Sequence, residues 1–228
     1  MKKKNKKKTK KFNFIRFFKF LLFLACFIIM YIYFSKQPIK NIVIKGNNYL
    51  TDEEIIETAK IENYPSFLKT FTFIIEGRLK KLDLVKSVKV KKRWYYRLII
   101  EIEEERILFK NRSTNEYILS KDKRINEIKN DEEVPILINF VSDDIMNKMI
   151  EKFNLLDNDV IKKISEIEYA PNDYDNERFI FYMNDENVVY VTLTKIKEFN
   201  KYNKIKEQLG NNKGILYLDS GNYFEIKN

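Results

Sequence analysis

The chain has 228 residues and a formal net charge of +10, with 43 Lys and Arg against 33 Asp and Glu. All of this excess lies in residues 1–19, which hold ten basic residues and no acidic ones, so the neutral remainder is not a basic nucleic-acid-binding body. The absence of His and the single Cys exclude Ser-His-Asp and Cys-His catalysis, internal disulfides and His-containing zinc sites. The five Gly lack the spacing of a phosphate-binding loop, so we expect no cofactor and no metal.

An uncharged segment follows the basic tail. Residues 20–34 read FLLFLACFIIMYIYF, and Phe17 and Phe18 extend the apolar stretch beyond Lys19. A helix rises about 1.5 Å per residue, and Lys19 can extend its amine toward the headgroups, so this stretch is long enough to cross a hydrocarbon core of about 30 Å. We therefore predict a basic cytoplasmic tail over residues 1–16 and a transmembrane helix over residues 17–34.

The charge asymmetry around this helix predicts its orientation. Basic flanks stay in the cytoplasm, and the residues predicted to set the topology are Lys10, Lys11, Arg16 and Lys19. A cleaved signal peptide is disfavoured because Tyr31 and Phe34 occupy the zone where small residues are needed. A lipoprotein signal is disfavoured because the apolar run continues for eight residues beyond Cys26. The expected location is the cell membrane, with a single span and most of the chain outside the cytoplasm.

Residues 39–105 carry the signals of a small domain. Residues 39–45 are rich in β-branched side chains and predict a strand, which the turn residues Gly46 and Asn47 end. Thr51 and Glu54 have the spacing of a capping box, which predicts a helix to about residue 60. Helical periodicity over residues 71–82 and alternation over residues 87–91 and 98–103 predict a second helix and two paired strands. The predicted order is β-α-α-β-β.

This order and three short motifs carry a resemblance to a known family. The motifs are IVIKGN at residues 42–47, TDEEI at residues 51–55, and KKRW at residues 91–94 followed by LIIEIEEER. They resemble a POTRA domain and, more narrowly, the FtsQ/DivIB family of bacterial cell-division proteins. The resemblance implies a POTRA domain over residues 38–106 and an FtsQ/DivIB-type β-domain over residues 107–228. The residues that match the POTRA signature are Gly46, Asn47, Arg93, Trp94, Glu105 and Arg106, while Tyr95 stands where the family usually has Pro.

The second half predicts helices on a sheet. Strands are predicted at residues 107–110, 117–120, 134–137, 179–183, 188–193, 215–219 and 223–227. A helix is predicted from near Ser142, and another from a Thr194 cap to about Leu209, where Gly210 stops it. The predicted fold class is α+β, with a single N-terminal transmembrane helix, the POTRA domain and a mixed α/β domain containing a largely antiparallel sheet.

The acidic run near residue 103 is not predicted to be catalytic. Glu101, Glu103 and Glu105 share one strand face, where basic residues such as Lys91 on the neighbouring strand can pair with them across the sheet. No pocket or carboxylate separation points to general acid–base chemistry, so the chain is not expected to be an enzyme. Trp94 is interpreted as a partly buried packing residue, with a partner hot spot as the alternative.

The terminal strands are the candidate partner-binding region. An open sheet edge offers unpaired N–H and C=O groups to a partner strand, and aromatic side chains add specificity. The candidate residues are Tyr217, Asp219, Tyr223 and Phe224. Ordinary alternation of core and surface residues is the competing interpretation. The resemblance implies partners of the FtsB/DivIC and FtsL type, which are single-span divisome proteins.

These observations lead to one hypothesis and one alternative. We expect a non-enzymatic bitopic protein of the divisome, located at the septum, that links septal partners and helps coordinate cell-wall synthesis without binding nucleic acid or a small-molecule substrate. The alternative is a POTRA-type envelope transport or assembly factor that binds extended polypeptides.

Overall fold

The computed structural model describes residues 13–128 and 134–227. It begins with helix α1 (Phe14–Ser35), whose first turn is capped by the Asn13 side chain accepting from the Arg16 N–H. Its 22 residues rise about 33 Å, so α1 is long and apolar enough to cross a membrane. The predicted span, residues 17–34, lies within it.

A three-stranded sheet with two helices follows α1. Its elements are β1 (Asn41–Lys45), α2 (Asp52–Ala59), α3 (Thr72–Leu79), β2 (Val85–Arg93) and β3 (Arg97–Glu104). The strand order is β1-β3-β2, with β1 parallel and β2 antiparallel to β3. The predicted β-α-α-β-β order is therefore present.

The start of α2 forms through the predicted capping box. The Thr51 hydroxyl accepts from the Glu54 N–H, and the Glu54 carboxylate accepts from the Thr51 N–H. This exchange satisfies two donors that the first turn of a helix would otherwise leave unpaired. Ile55 and Ala59 on α2 are then buried against the sheet, together with Leu79 of α3.

The rest of the chain forms a second, larger sheet. Its elements are β4 (Ile107–Asn111), β5 (Glu116–Leu119), β6 (Arg124–Ile125), β7 (Ile136–Leu137), α4 (Asp143–Phe153), α5 (Asn158–Ile161), β8 (Ile164–Tyr169), β9 (Arg178–Met183), β10 (Val188–Thr192), a 3₁₀ helix (Leu193–Lys201), α6 (Tyr202–Leu209), β11 (Gly214–Tyr217) and β12 (Tyr223–Ile226). The strand order is β12-β11-β10-β9-β8-β7-β4-β5-β6, and most neighbouring pairs are antiparallel. The predicted α+β class with a largely antiparallel sheet is confirmed.

One face of the large sheet is buried. Phe153 of α4 makes edge-to-face contacts with Phe109 and Phe181, and Phe181 makes one with Phe199 of the 3₁₀ helix. Such aromatic contacts contribute about 0.5–1.5 kcal/mol each beyond the area they bury. Side chains that alternate with these along β9 and β10 are only half-buried, so the opposite face is more open.

Two sequence predictions about local structure are wrong. The helix predicted from a Thr194 cap begins instead as a 3₁₀ helix at Leu193, so its N-cap residue is Thr192, whose side chain makes no capping bond. The buried side chains Leu193, Ile196, Phe199 and Tyr202 recur every three residues, which is the period of a 3₁₀ helix. The sequence prediction also omitted β8, although β8 lies in the middle of the sheet.

The turn between β2 and β3 differs from its prediction as well. Trp94 is 89 % exposed instead of partly buried, because it lies in a three-residue turn that projects from the sheet. Tyr95 in the same turn has φ of 62°, which the fixed ring of proline cannot adopt. A proline at this position would require a different turn.

We expect Gly46→Ala to destabilise the chain by about 1–3 kcal/mol, since the φ of Gly46 is positive and strained for alanine. A Cβ at this position would also lie 2.1 Å from the Ile102 carbonyl oxygen. Urea unfolding of the full chain in detergent micelles, followed by circular dichroism, measures the change.

The matched control is Gly77→Ala in α3, where a Cβ would meet nothing within 4 Å. Alanine is the better helix former, so this variant should be stabilised by about 0.5–1 kcal/mol. Equal stability of the two variants would contradict the role assigned to Gly46.

Candidate partner-binding surface

Strand β12 forms one edge of the large sheet. It pairs with β11 on one side, and in the described part of the chain no strand covers its other side. The Lys227 N–H donates to the Lys213 carbonyl. This bond shows which residues of β12 direct their backbone groups toward β11. Since backbone groups alternate along an antiparallel strand, the N–H and C=O groups of Phe224 and Ile226 point away from β11. They are available to an added strand.

A column of stacked side chains leads across the open face to this edge. The Tyr190 and Tyr217 rings lie 5.2 Å apart, and Tyr217 and Tyr223 lie 4.6 Å apart, both nearly parallel. The Arg178 guanidinium lies 4.4 Å from the centre of the Tyr190 ring. We call Arg178, Tyr190, Tyr217 and Tyr223 the tyrosine ladder. Because these side chains brace one another across four strands, they present a preformed surface beside the edge.

The four predicted candidates do not share one position. Tyr217 and Tyr223 are neighbours on the open face. Phe224 lies beside Tyr223 on the opposite face and packs against the hydrophobic core. Asp219 follows β11 and accepts from the Arg178 Nε at 2.8 Å, with both side chains largely buried. The structure thus brings two candidates together and gives Asp219 an internal partner.

The pKa of Asp219 reflects this pairing. Burial alone would raise it, but the hydrogen bonds from Arg178 and Ser220 outweigh burial and hold the pKa below its usual value. Asp219 is therefore ionised at neutral pH and fixes the Arg178 side chain at the inner end of the ladder.

A buried network positions β11 beneath the ladder. The Asn187 side chain accepts from the Gly214 N–H at 2.9 Å and donates to the Tyr202 hydroxyl at 3.1 Å. Tyr202 in turn donates to the Asp185 carboxylate at 2.9 Å. These bonds join the turn between β9 and β10 to α6 and to the start of β11, so the edge strand pairs with a fixed neighbour.

The open face also carries a phenol–carboxylate pair. The Tyr182 hydroxyl donates to Glu168 at 2.6 Å, and this bond, more than burial, raises the pKa of Tyr182 to about 12. Tyr182 therefore stays protonated as a donor at physiological pH.

The POTRA signature residues fall into three places. Gly46 and Asn47 begin a loop that β3 anchors, since the Glu104 carboxylate accepts from the N–H groups of Asn48, Tyr49 and Leu50, each at 2.9 Å. The Asn47 amide closes the same loop by donating to the Leu50 carbonyl. Arg93 and Trp94 lie at the exposed end of the β2–β3 hairpin.

Glu105 and Arg106 join the two halves of the chain. Glu105 is 3 % exposed, accepts from the Ser120 hydroxyl and pairs with Lys121. The Arg106 guanidinium donates to the Leu156 carbonyl at 2.6 Å and to the Phe153 carbonyl at 3.3 Å, near the end of α4. We call this pair the junction.

The remaining sequence candidates lie elsewhere. Arg16 and Lys19 are exposed near the start of α1, whereas Lys10 and Lys11 lie outside the described residues. Glu101 pairs with Lys91, as predicted, and Glu103 pairs with Lys86. Glu105 leaves their face for the junction. Within the described ranges no group of His, Cys, Asp and Glu could hold a metal ion.

Sequence reasoning missed Arg178, Tyr190 and the Glu104 anchor. Tyr190 was visible as a member of an alternating strand, but its place in the ladder depends on the pairing of β10 with β11, which joins residues far apart in the chain. No local signal gives that register.

We expect Asp219→Asn to destabilise the chain by about 1.5–3 kcal/mol at pH 7, since it weakens a largely buried charge-assisted bond. The folded pKa of Asp219 lies below the unfolded value, so its contribution is complete above the unfolded pKa and is lost as the pH falls through the folded one. The difference between the two proteins should therefore shrink below about pH 4.

Urea unfolding across this pH range measures the effect. Asp173→Asn, at an exposed carboxylate, should leave stability unchanged. A destabilisation by Asp219→Asn that does not depend on pH would contradict the assignment.

Comparison with known proteins finds similar bacterial cell-division proteins. Residues 37–105 match the family model of the FtsQ-type POTRA domain. The cell division protein DivIB of Bacillus subtilis is 29 % identical over 214 residues, covering 90 % of this chain and 80 % of that protein. DivIB of Listeria monocytogenes is 27 % identical over 235 residues, covering 99 % and 85 %.

A solved structure matches more weakly. The extracytoplasmic domain of DivIB from Geobacillus stearothermophilus is 23 % identical and has a TM-score of 0.38, with 47 % of this chain and 95 % of that chain covered. Those relatives bear the name of a cell-division protein and not of an enzyme, which agrees with the predicted non-enzymatic role. Residues 37–105 thus match an FtsQ-type POTRA domain, and over most of its length the chain is similar to the cell division protein DivIB.

Proposed function

We propose that this chain is a bitopic divisome protein that links septal membrane proteins and so helps coordinate septal cell-wall synthesis. The observation that carries the proposal is the open edge of β12 beside the tyrosine ladder. An added strand would complete the backbone bonds of Phe224 and Ile226, and the ladder would contact its side chains. The partners, by family resemblance, are of the FtsB/DivIC and FtsL type.

The proposed topology places α1 in the cell membrane with its basic flank in the cytoplasm. Arg16 and Lys19 at the start of α1, together with Lys10 and Lys11 in the sequence, supply the positive charge. Confinement to the membrane raises the effective concentration of partners anchored in the same membrane. A weak strand-addition site is then sufficient for assembly.

The proposed division of the chain is a POTRA domain over residues 38–106 and a β-domain over residues 107–228. The separate three-stranded and nine-stranded sheets support a boundary after β3. The first hydrophobic core nevertheless includes Ile107, Tyr117 and Leu119, so the β4–β5 hairpin contributes to both parts. In this division the Gly46 loop and the junction are structural features, and β12 is the partner site.

A fluorescent fusion at the N-terminus tests the function in dividing cells. We expect a midcell band that narrows as the septum constricts, because a divisome protein follows its membrane partners. Uniform envelope fluorescence during division would contradict the proposal and favour the transport or assembly alternative.

The strand-addition mechanism is tested by Ile226→Pro. Proline removes one outward N–H while leaving the bonds between β11 and β12 intact, and edge strands tolerate proline at such positions. Losing one backbone bond should weaken partner binding about ten-fold. Co-purification of a partner of the FtsB/DivIC type with the full chain measures this loss.

The matched control is Ile226→Thr at the same position. Threonine keeps the N–H and the β-branched shape, so partner recovery should remain close to that of the original chain. If proline and threonine variants recover the partner equally, β12 does not bind it through its backbone.

A further inference from the structure

The β2–β3 hairpin ends in an unusual exposed aromatic pair. Trp94 is 89 % exposed and Tyr95 is 90 % exposed, although aromatic rings of this size usually bury most of their surface. They line a groove of about 630 Å³ together with the side chains of Phe34, Phe67, Leu68, Lys92, Arg93 and Tyr96. We call this group the hairpin-tip patch. Contiguous exposed apolar surface of this kind marks a binding site.

The patch is fixed to the end of α1 by hydrogen bonds. The Ser66 hydroxyl donates to the Ser35 carbonyl at 2.6 Å, and the Phe67 N–H donates to the Gln37 carbonyl at 2.9 Å. The Lys40 N–H donates to the Tyr96 carbonyl at 2.9 Å, which ties the hairpin turn to the same segment. The connection between α1 and the sheet is therefore short and bonded along its length.

This connection determines where the patch lies relative to a membrane. With α1 spanning a hydrocarbon core of about 30 Å, its last turn reaches the headgroup layer on the far side. Phe34 belongs to that turn and lines the same groove as Trp94. The hairpin end is thus held at the level where tryptophan and tyrosine rings are favoured.

The positively charged side chains around the patch can bind the negatively charged phosphates of lipid headgroups. Arg93 lies directly opposite Arg97 in the hairpin register, and like charges in that arrangement repel each other. The Lys92 amine lies 4.8 Å from the centre of the Phe67 ring, and the Lys40 amine lies 5.2 Å from that of Tyr96. Within the described ranges, none of these four cations pairs with a carboxylate.

We infer that the hairpin-tip patch docks on the outer leaflet of the membrane that α1 spans, with Trp94 and Tyr95 among the lipid headgroups and Arg93 and Arg97 on lipid phosphates. The occupant is the phospholipid surface, because the tether delivers the patch there and both its aromatic and its cationic groups match that layer. The inference rests on the span proposed for α1. Docking would fix the orientation of the POTRA domain on the membrane.

The experiment uses the fluorescence of Trp94, which is the single tryptophan of the chain. The full-length protein is reconstituted in vesicles of phosphatidylcholine and phosphatidylglycerol, with and without lipid brominated on the acyl chains. We expect blue-shifted emission and a loss of intensity in the brominated vesicles. Emission typical of tryptophan in water, with no quenching, would overturn the inference. The hairpin-tip patch would then be a candidate surface for a protein partner instead.

A relocated tryptophan provides the matched control. Tyr174 is 98 % exposed and lies in the second half of the chain. In a double variant carrying Trp94→Phe and Tyr174→Trp, the probe should remain unquenched in the same vesicles. Equal quenching at the two positions would mean that the whole domain contacts lipid without selecting the hairpin tip, which contradicts the inference.

The role of the cations is tested separately. Arg93→Gln combined with Arg97→Gln should reduce the quenching of Trp94, whereas Lys197→Gln, an exposed cation in the second half, should not. Unchanged quenching in the double arginine variant would contradict the proposed contacts of Arg93 and Arg97 with lipid phosphates.

Vesicle flotation separates this inference from the proposed function. A chain that floats with the vesicles while Trp94 stays unquenched keeps its span and its proposed divisome role but loses the docking surface. A chain that does not float has no span, which overturns both.

Discussion

The junction at Glu105 and Arg106 is the interaction on which the relation between the two halves depends. Glu105 is buried, pairs with Lys121 and accepts a hydrogen bond from Ser120. Arg106 donates to the carbonyl of Phe153, the last residue of α4, and to that of Leu156 just after it. Burying a carboxylate costs free energy unless it is paired and hydrogen-bonded. The buried Glu105, between β3 and β4, therefore needs these partners. Side chains of the β4–β5 hairpin then enter both hydrophobic cores. The two sheets are consequently linked by packing and charge as well as by the chain.

The two proposed interaction surfaces follow from this arrangement. At one end, bonds from Ser66 and Lys40 hold the β2–β3 hairpin beside the last turn of α1. At the other, β12 is the terminal strand of the large sheet, and the tyrosine ladder stiffens the face beside it. A chain organised this way can contact the membrane through one domain and offer a sheet edge to a partner through the other.

Much of the first domain could be predicted because its signals are local. The capping box at Thr51 and Glu54 acts within one helical turn. In β2 and β3, the alternation of apolar and polar residues indicates which side chains are buried. The second half was harder because β8 has polar residues at several positions and is recognisable mainly by its neighbours. The 3₁₀ helix was missed because apolar residues spaced three apart, such as Ile196, Phe199 and Tyr202, also fit one face of an α-helix.

Sequence alone determined the neutral composition after residue 19, the long apolar helix, the β-α-α-β-β order and the family resemblance, since each depends on residues close together in the chain. Only the tertiary structure decided which candidates act together. It separated Asp219 from Tyr217 and Tyr223, added Arg178 and Tyr190 to the ladder, and exposed Trp94 beside the end of α1. These outcomes depend on strand register and on contacts between distant segments, which hydrophobic periodicity does not encode.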